Sequence, residues 1–129
     1  MTKWDGPKVV LVVEDDEGMR EAIDQLLSVA GFTTVLYGSA EALLAEATLE
    51  RPLCLVSDLN LPAMSGLDLL KELSRRGLHI PVIIITAYGS AALRQEAARL
   101  GVSAFLLKPF PSAALLTTIH TIAAQHGAH

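Results

Sequence analysis

Short apolar runs alternate along the chain with longer stretches in which apolar residues recur at helical spacing. Val9–Val13 is an uninterrupted apolar run that ends in acidic residues, and such a run is typical of a buried strand. From Glu17 to Ala30 apolar residues fall every three or four positions, which predicts a helix, and Gly31 follows as its C-terminal stop. This alternation is repeated five times. The predicted strands are 9–13, 33–37, 53–57, 82–85 and 104–107.

Serine, glycine and proline mark where the predicted helices begin and end. Serine side chains suited to cap a first helical turn are Ser39, Ser90 and Ser112. The predicted helix ends are Gly31, Pro52, Gly77 and Gly101. The second helix is expected to have an apolar face of Ala40, Leu43, Leu44 and Ala47. A loop with Pro62 and Gly66 leads into the third helix.

Five alternating strands and helices predict an α/β protein. Because the strands are apolar on both faces, they favour a parallel sheet that is covered by helices on each side. Right-handed crossovers then give a doubly wound, flavodoxin-like (βα)5 sheet with strand order 2-1-3-4-5, and the second strand near an edge. The length of 129 residues fits a single domain. We expect its core at about residues 8–125, after a short N-terminal lead and before a frayed tail at 125–129.

The high apolar content raises the question of a membrane span. The chain is 51% apolar with a mean hydropathy of +0.42, but its longest apolar run is Val9–Val13, and a spanning helix needs about 20 residues. The first residues lack the charged and apolar regions of a signal peptide. Cys54 is the one cysteine, which excludes a disulfide framework. We therefore expect a cytoplasmic protein without a membrane partner, and the isoelectric point of about 5.5 argues against direct nucleic-acid binding.

Charge is unevenly distributed along the chain. Residues 1–77 hold thirteen acidic and seven basic side chains, whereas residues 78–129 hold one acidic and three basic side chains. The acidic residues also cluster, because positions 14–17 are all acidic. The charge-poor second half of the chain is therefore predicted either to be well buried or to bind a partner.

The polar residues at the predicted strand ends carry the candidate chemistry. Glu14 and Asp15 follow the first strand, Asp58 the third, Thr86 the fourth and Lys108 the fifth. In a doubly wound sheet these ends share one edge, where ligands bind. Clustered carboxylates repel one another unless a cation joins them, and oxygen ligands suit Mg²⁺. A hydroxyl and an ammonium nearby suit a phosphoryl group, which a carboxylate can attack to give an aspartyl phosphate.

Four segments of the chain together resemble the receiver domain of two-component response regulators, the CheY-like superfamily. The segments read VLVVEDDEGMR, VSDLNLPAMSGLDLL, PVIIITAYGS and AFLLKPF, and the resemblance covers roughly residues 8–125. It implies that Asp58 is the phosphoacceptor, which receives a phosphoryl group from the phosphohistidine of a sensor histidine kinase. It also implies bound Mg²⁺ or Mn²⁺, with Asp15 as a direct ligand and with Asp58 and the backbone carbonyl of Asn60 as further ligands. Glu14 would lie behind these ligands or act through water.

The same resemblance implies a switch. Thr86 and Lys108 are expected to hold phosphoryl oxygens, and Phe105 stands at the aromatic position that is coupled to movement of the threonine. The Lys108–Pro109 peptide is expected to be cis. Phosphorylation adds a charge of about -1.5 to -2 and three strong acceptor oxygens. We expect this to change the last strand and its flanking helices, which then mediate dimerisation or docking.

One departure from the family concerns the acidic run. Glu14 stands where Asp is commoner, and the succession of Glu14, Asp15 and Asp16 leaves the register open. We prefer Glu14 and Asp15 as the site pair because Met19 and Arg20 then fall in the family's usual places, and Asp16 becomes a loop or helix-start residue.

The expected function is a phosphorelay signalling domain, not an enzyme beyond its own phosphorylation and dephosphorylation. Weak similarity of the TAYGS and LPAMSG stretches to nitrogen-regulatory-type transcription factors favours an output domain that controls transcription and is not in this chain. Two alternatives stay open. The first is an unphosphorylated receiver-like interaction module. The second, less favoured, is an aspartyl-nucleophile phosphatase, against which stands Asn60 where a second acid would be needed.

Overall fold

The computed structural model describes residues 8–46 and 51–126, and within these ranges five strands alternate with five helices. The predicted α/β alternation is therefore confirmed. The elements are β1 (Val9–Val13), α1 (Glu17–Val29), β2 (Thr33–Tyr37), α2 (Ala40–Leu44), β3 (Cys54–Asp58), α3 (Gly66–Arg75), β4 (Val82–Thr86), α4 (Ala91–Arg99), β5 (Ala104–Leu107) and α5 (Ser112–His126).

The strands form one parallel sheet in the order β2-β1-β3-β4-β5, which is the predicted flavodoxin-like order with β2 at an edge. The third and fourth strands each continue one residue beyond the predicted C-terminal ends at residues 57 and 85. Asp58 belongs to β3 because it pairs with Ile85, and Thr86 belongs to β4 because it pairs with Leu107. The backbone ladder thus continues past the last apolar residue, and it holds the backbones of both polar residues at the carboxyl edge of the sheet.

Helices cover both faces of the sheet, as expected. Alternate residues of a strand point to opposite faces, so Leu11 and Val13 join one core cluster while Val10 and Val12 join the other. The first cluster packs against α2, α3 and α4, and the second against α1 and α5. Among the described residues no helix combines the length and hydropathy that a membrane crossing requires.

The helix ends follow the sequence signals with some corrections. Ser39 and Ser90 cap α2 and α4 as predicted, whereas α5 begins at Ser112 itself. Ser65 forms a capping box with Asp68, so α3 already begins at Gly66 and the preceding loop is shorter than the sequence predicts. The left-handed residues after α1, α3 and α4 are the predicted stops Gly31, Gly77 and Gly101.

The described part of α5 reaches one residue past the predicted core boundary at residue 125. The α5 helix continues through His126, because Ile122 is buried and Ala123 packs against the same core cluster. The predicted helical position Ala47, the N-terminal lead at 1–7 and the tail at 127–129 lie outside the described residues.

Candidate functional site

The carboxyl ends of β1 and β3 bring three acidic side chains together. Glu14, Asp15 and Asp58 each offer a carboxylate oxygen, and these oxygens lie within 4.8 Å of one another. Glu14 is completely buried and Asp58 is 6% exposed, whereas Asp15 faces solvent. The predicted acidic cluster is therefore formed, and Asp15 marks its open side.

Lys108 places its ammonium group between two of these carboxylates. Its Nζ donates to Oε1 of Glu14 at 2.8 Å and to Oδ2 of Asp58 at 3.0 Å. The residue follows β5, and its backbone N–H donates to the carbonyl of Thr86 at 2.7 Å. Since β4 lies between β5 and β3, the long lysine side chain reaches across the end of β4 to the acids. The ammonium partly compensates the negative charge that burial would otherwise disfavour.

The ionisation of this cluster reflects burial and pairing together. Burial raises the pKa of Glu14, and the nearby charge of Asp58 raises it further. The hydrogen bonds from Lys108 and from the Asp16 backbone lower this pKa, but they do not offset the effect of burial. Burial by itself lowers the pKa of Lys108, but the hydrogen bonds to Glu14 and Asp58 outweigh it, so its pKa is raised. Lys108 therefore stays charged at neutral pH, because its pKa lies above an already high reference value.

The register of the acidic run is resolved by hydrogen bonds. Asp16 is the N-cap of α1, and its Oδ1 accepts from the Met19 backbone N–H at 3.1 Å. The Asp16 backbone N–H donates to Oε2 of Glu14 at 3.2 Å, and Nη1 of Arg20 donates to the Glu14 carbonyl at 2.8 Å. Both carboxylate oxygens of Glu14 thus have partners, and Asp16 is a helix-start residue as expected. The contact of Arg20 with Glu14 was not anticipated.

Asn60 connects Asp58 to Thr86. Its backbone N–H donates to Oδ1 of Asp58 at 3.0 Å, and its side-chain Nδ2 donates to Oγ1 of Thr86 at 3.1 Å. The Thr86 hydroxyl also donates to the Tyr88 carbonyl and accepts from the Tyr88 backbone N–H, each at 3.1 Å. Sequence analysis assigned only the backbone carbonyl of Asn60, and the role of its side chain was missed. Thr86 is completely buried, and its hydroxyl is held by three hydrogen bonds.

Gly66 allows the start of α3 to lie directly against the end of β3. A Cβ at this position would stand 2.5 Å from the carbonyl oxygen of Asp58, and the Gly66 N–H donates to the Leu59 carbonyl at 2.9 Å. Any larger residue must push the backbone of Asp58 away. Between these elements the chain passes through Ala63, which has a left-handed backbone at φ 64°. The only sequence signal for this tight approach was the glycine itself.

The remaining predicted residues stand beside this cluster. The Lys108–Pro109 peptide is cis, as expected. Phe105 is half-buried in β5 and packs at the border of the first core cluster. Tyr88, two residues after Thr86, has a 74% exposed side chain, and its contacts with Thr86 come from its backbone.

The donor set fits a hard divalent cation. Three carboxylates with oxygens within 4.8 Å of one another, one of them open to solvent, match the few carboxylates and several waters that Mg²⁺ prefers. A hydroxyl and an ammonium lie at the same edge of the sheet. This is an arrangement that can hold a phosphoryl group on an acidic side chain.

A family model for the response regulator receiver domain matches residues 10–120. The chain belongs to this family. Receiver domains are phosphorelay signalling domains, and phosphorylation on an aspartate is their general function. They generally bind Mg²⁺ at an acidic pocket.

Named relatives of this receiver domain include longer proteins. It is 42% identical to the transcriptional regulatory protein FixJ of Azorhizobium caulinodans over 85% of this chain and 52% of the relative. It is 41% identical to the response regulator protein FleR of Pseudomonas aeruginosa over 85% of this chain and 23% of the relative. A crystal structure of FixJ-N superimposes with a TM-score of 0.82 at 35% identity, covering 92% of this chain and 94% of that one. The receiver domain thus spans about half, or less, of the curated relatives' length.

Proposed function

We propose that Asp58 accepts a phosphoryl group from the phosphohistidine of a sensor histidine kinase. The observation that carries this proposal is the ammonium of Lys108, which bridges Glu14 and Asp58 at the carboxyl edge of the sheet. The Asp58 carboxylate is only 6% exposed, and it accepts hydrogen bonds from the Lys108 ammonium and from the Asn60 backbone N–H. These two donors position it to attack a phosphoryl group.

In the proposed reaction a carboxylate oxygen of Asp58 attacks phosphorus, and the bond from phosphorus to the histidine nitrogen breaks. Asp15, Asp58 and the Asn60 carbonyl would hold Mg²⁺, with Glu14 behind them or acting through water. The cation supplies positive charge to the phosphoryl oxygens and relieves repulsion among the acids. Lys108 already lies beside Asp58, so its ammonium can donate to one phosphoryl oxygen. Water later attacks the phosphorus of the acyl phosphate, the bond from phosphorus to the Asp58 oxygen breaks, and inorganic phosphate leaves as the carboxylate is restored.

The first test is phosphorylation by acetyl phosphate with Mg²⁺, followed by intact mass. We expect one phosphoryl adduct in the wild type and none in Asp58→Asn. Asp15→Asn should remove most of the Mg²⁺ dependence, because Asp15 is the exposed member of the acidic cluster. Asp16→Asn is the matched control, since it changes the same charge in the same run while asparagine keeps the N-cap.

The outcomes separate the alternative functions. A wild type without an adduct contradicts the proposal and favours an unphosphorylated interaction module. Rapid turnover of varied phosphate esters favours an aspartyl-nucleophile phosphatase instead. Equal loss in Asp16→Asn and Asp15→Asn would contradict the register assigned to the acidic run.

The signal is proposed to leave through α4, β5 and α5. Thr86 can reach a phosphoryl oxygen only by giving up its bond to the Tyr88 carbonyl, and Phe105 is then free to follow. The α5 helix has no charged residue between Ser112 and His126, so it suits contact with a second copy or an effector.

Sedimentation with beryllofluoride, a stable phosphoryl mimic, tests self-association. A monomer that stays unchanged without any output partner contradicts the dimer.

The relatives support a transcriptional output outside this chain. The FixJ relative is a transcriptional regulatory protein, and the receiver domain accounts for 52% of it. We propose that the receiver controls such an output domain, makes no direct contact with nucleic acid, and works in the cytoplasm, where its kinase partner and the genes are found. The mass of the native protein, measured by immunoblotting with antibody against this domain, tests whether an output domain is attached.

A further inference from the structure

The ring of Phe105 has two close neighbours from the β4–α4 region. The guanidinium carbon of Arg94 lies 4.9 Å from the ring centroid, over its face. Gly89 approaches the ring edge so closely that an added Cβ would stand 3.1 Å from Cε1 of Phe105 and 2.5 Å from Cδ2 of Leu107. The ring thus lies between the loop at Gly89 and the guanidinium of Arg94.

This loop is the same one that holds the Thr86 hydroxyl. Tyr88 accepts from Thr86 and donates to it through the backbone, and Gly89 is the next residue. Contacts thus run without a gap from Thr86 through Tyr88 and Gly89 to Phe105. A displacement of Thr86 toward Asp58 removes the anchor of the loop against which the ring packs.

Arg94 has its charge available for the ring. It lies in the first turn of α4, where its backbone N–H donates to the Ser90 carbonyl at 3.0 Å. Across residues 8–46 and 51–126 its guanidinium has no carboxylate partner. On the same helix Arg99, by contrast, pairs with Glu96. An unpaired guanidinium over an aromatic face is attracted by the ring quadrupole.

We propose that Arg94 is a positioning residue for Phe105, and that the Arg94–Phe105 contact favours the arrangement in which Thr86 is bonded to Tyr88. This inference rests on the proposed function and deepens it, because it names a residue that sets the balance of the switch before phosphorylation. A cation–π contact at a partly exposed site corresponds to roughly a two- to fivefold bias in that balance. Removing the cation shifts the ratio toward the switched arrangement by this factor.

The test is NMR of the unphosphorylated chain, with the Thr86 methyl and Phe105 ring signals as readouts. The wild type without and with beryllofluoride and Mg²⁺ provides the two end points. In Arg94→Gln we expect the Thr86 methyl signal to move along the line between them, by a roughly two- to fivefold change in population ratio. Arg94→Lys should restore most of the wild-type position. Arg99→Gln is the matched control on the same helix and should leave the signal in place.

Four outcomes overturn the inference. Equal spectra for Arg94→Gln and Arg99→Gln exclude a specific role of the Arg94–Phe105 contact. An undiminished Arg94→Gln effect in a Phe105→Leu background shows that Arg94 does not act through the ring. A wild type that does not respond to beryllofluoride contradicts the proposed function as well. A responding wild type whose Thr86 methyl is insensitive to Arg94→Gln contradicts the inference alone.

Discussion

Lys108→Met is the substitution that tests the electrostatics of the site most directly. Methionine keeps the length and apolar stem of lysine but removes the ammonium that lies 2.8 Å from Glu14 and 3.0 Å from Asp58. Two almost fully buried carboxylates then face each other without a compensating cation. Without a divalent metal, the folded state should lose stability because the unfolded state separates the two charges.

The size of the loss follows from the separation of the charges. Carboxylate oxygens within 4.8 Å of each other repel by about 3 kcal/mol at an effective dielectric constant of about 20. The Lys108 side chain is 21% exposed, so water screens part of this repulsion. Removing one partner of a fully buried ion pair costs about 3–5 kcal/mol. We therefore expect Lys108→Met to lower the free energy of unfolding by about 2–3 kcal/mol at neutral pH in EDTA.

Urea denaturation of wild type and variant measures the difference, and its pH dependence checks the cause. Without the ammonium, the pKa of Glu14 rises further, since the hydrogen bond from Lys108 lowers it in the wild type. A group whose pKa is raised by folding contributes stability at low pH and loses it as pH rises through the folded pKa. The loss of unfolding free energy in Lys108→Met should therefore be smaller near pH 5 than near pH 7.5.

Added Mg²⁺ should stabilise Lys108→Met more than the wild type, because the cation takes over the neutralising role. Lys71→Met is the matched control, since Lys71 is 54% exposed and lies 3.7 Å from Glu96. We expect it to change stability by no more than about 0.5 kcal/mol. If Lys108→Met lowers the free energy of unfolding by less than about 1 kcal/mol, or by an amount that does not depend on pH, charge repulsion between Glu14 and Asp58 is refuted as the cause.

Three further predictions concern the backbone around the site and the buried thiol. Ala63→Gly should raise stability in urea by about 0.5–1 kcal/mol, because relief of the left-handed strain exceeds the added chain entropy, and a destabilised variant would contradict this. Gly66→Ala should cost about 1–3 kcal/mol and slow phosphorylation of Asp58, whereas Gly18→Ala, a helical control with an ordinary contact, should be neutral or stabilising. Burial raises the pKa of Cys54 to about 12, so Ellman's reagent at pH 8 should label it only after unfolding, and rapid labelling of native protein would contradict the buried assignment.

The fold was predictable because its signals repeat. Each strand is an apolar run and each helix has a periodic face, so order and topology follow from simple alternation. The errors lie at boundaries, where apolar patterning and backbone pairing end at different residues. Asp58 and Thr86 are polar, so the pattern stops before them, yet their backbones continue the ladder. Gly66 has no side chain, and its place in α3 depends on the Ser65 capping box.

The site was predictable in its strand-end residues and not in its supports. Glu14, Asp58 and Lys108 meet because parallel strands deliver their carboxyl ends to one edge, which sequence order alone implies. The supports depend on side-chain direction, which sequence order does not contain. The amide of Asn60 turns to Thr86 and the guanidinium of Arg94 turns to Phe105, and neither follows from spacing along the chain.

The hydrogen bonds of Thr86 indicate why such supports matter. In the proposed switch, its hydroxyl would give up the bond to the Tyr88 carbonyl, a neutral bond worth about 0.5–1.5 kcal/mol net. The bond gained would be charge-assisted and worth about 1.5–3 kcal/mol, so the exchange would favour switching by about 0–2.5 kcal/mol. A cation–π contact of about 0.5–1 kcal/mol at Arg94 is of comparable size. In the proposed switch, the contact at Arg94 is therefore comparable in size to the exchange at Thr86, and substitutions around Phe105 are expected to shift its balance.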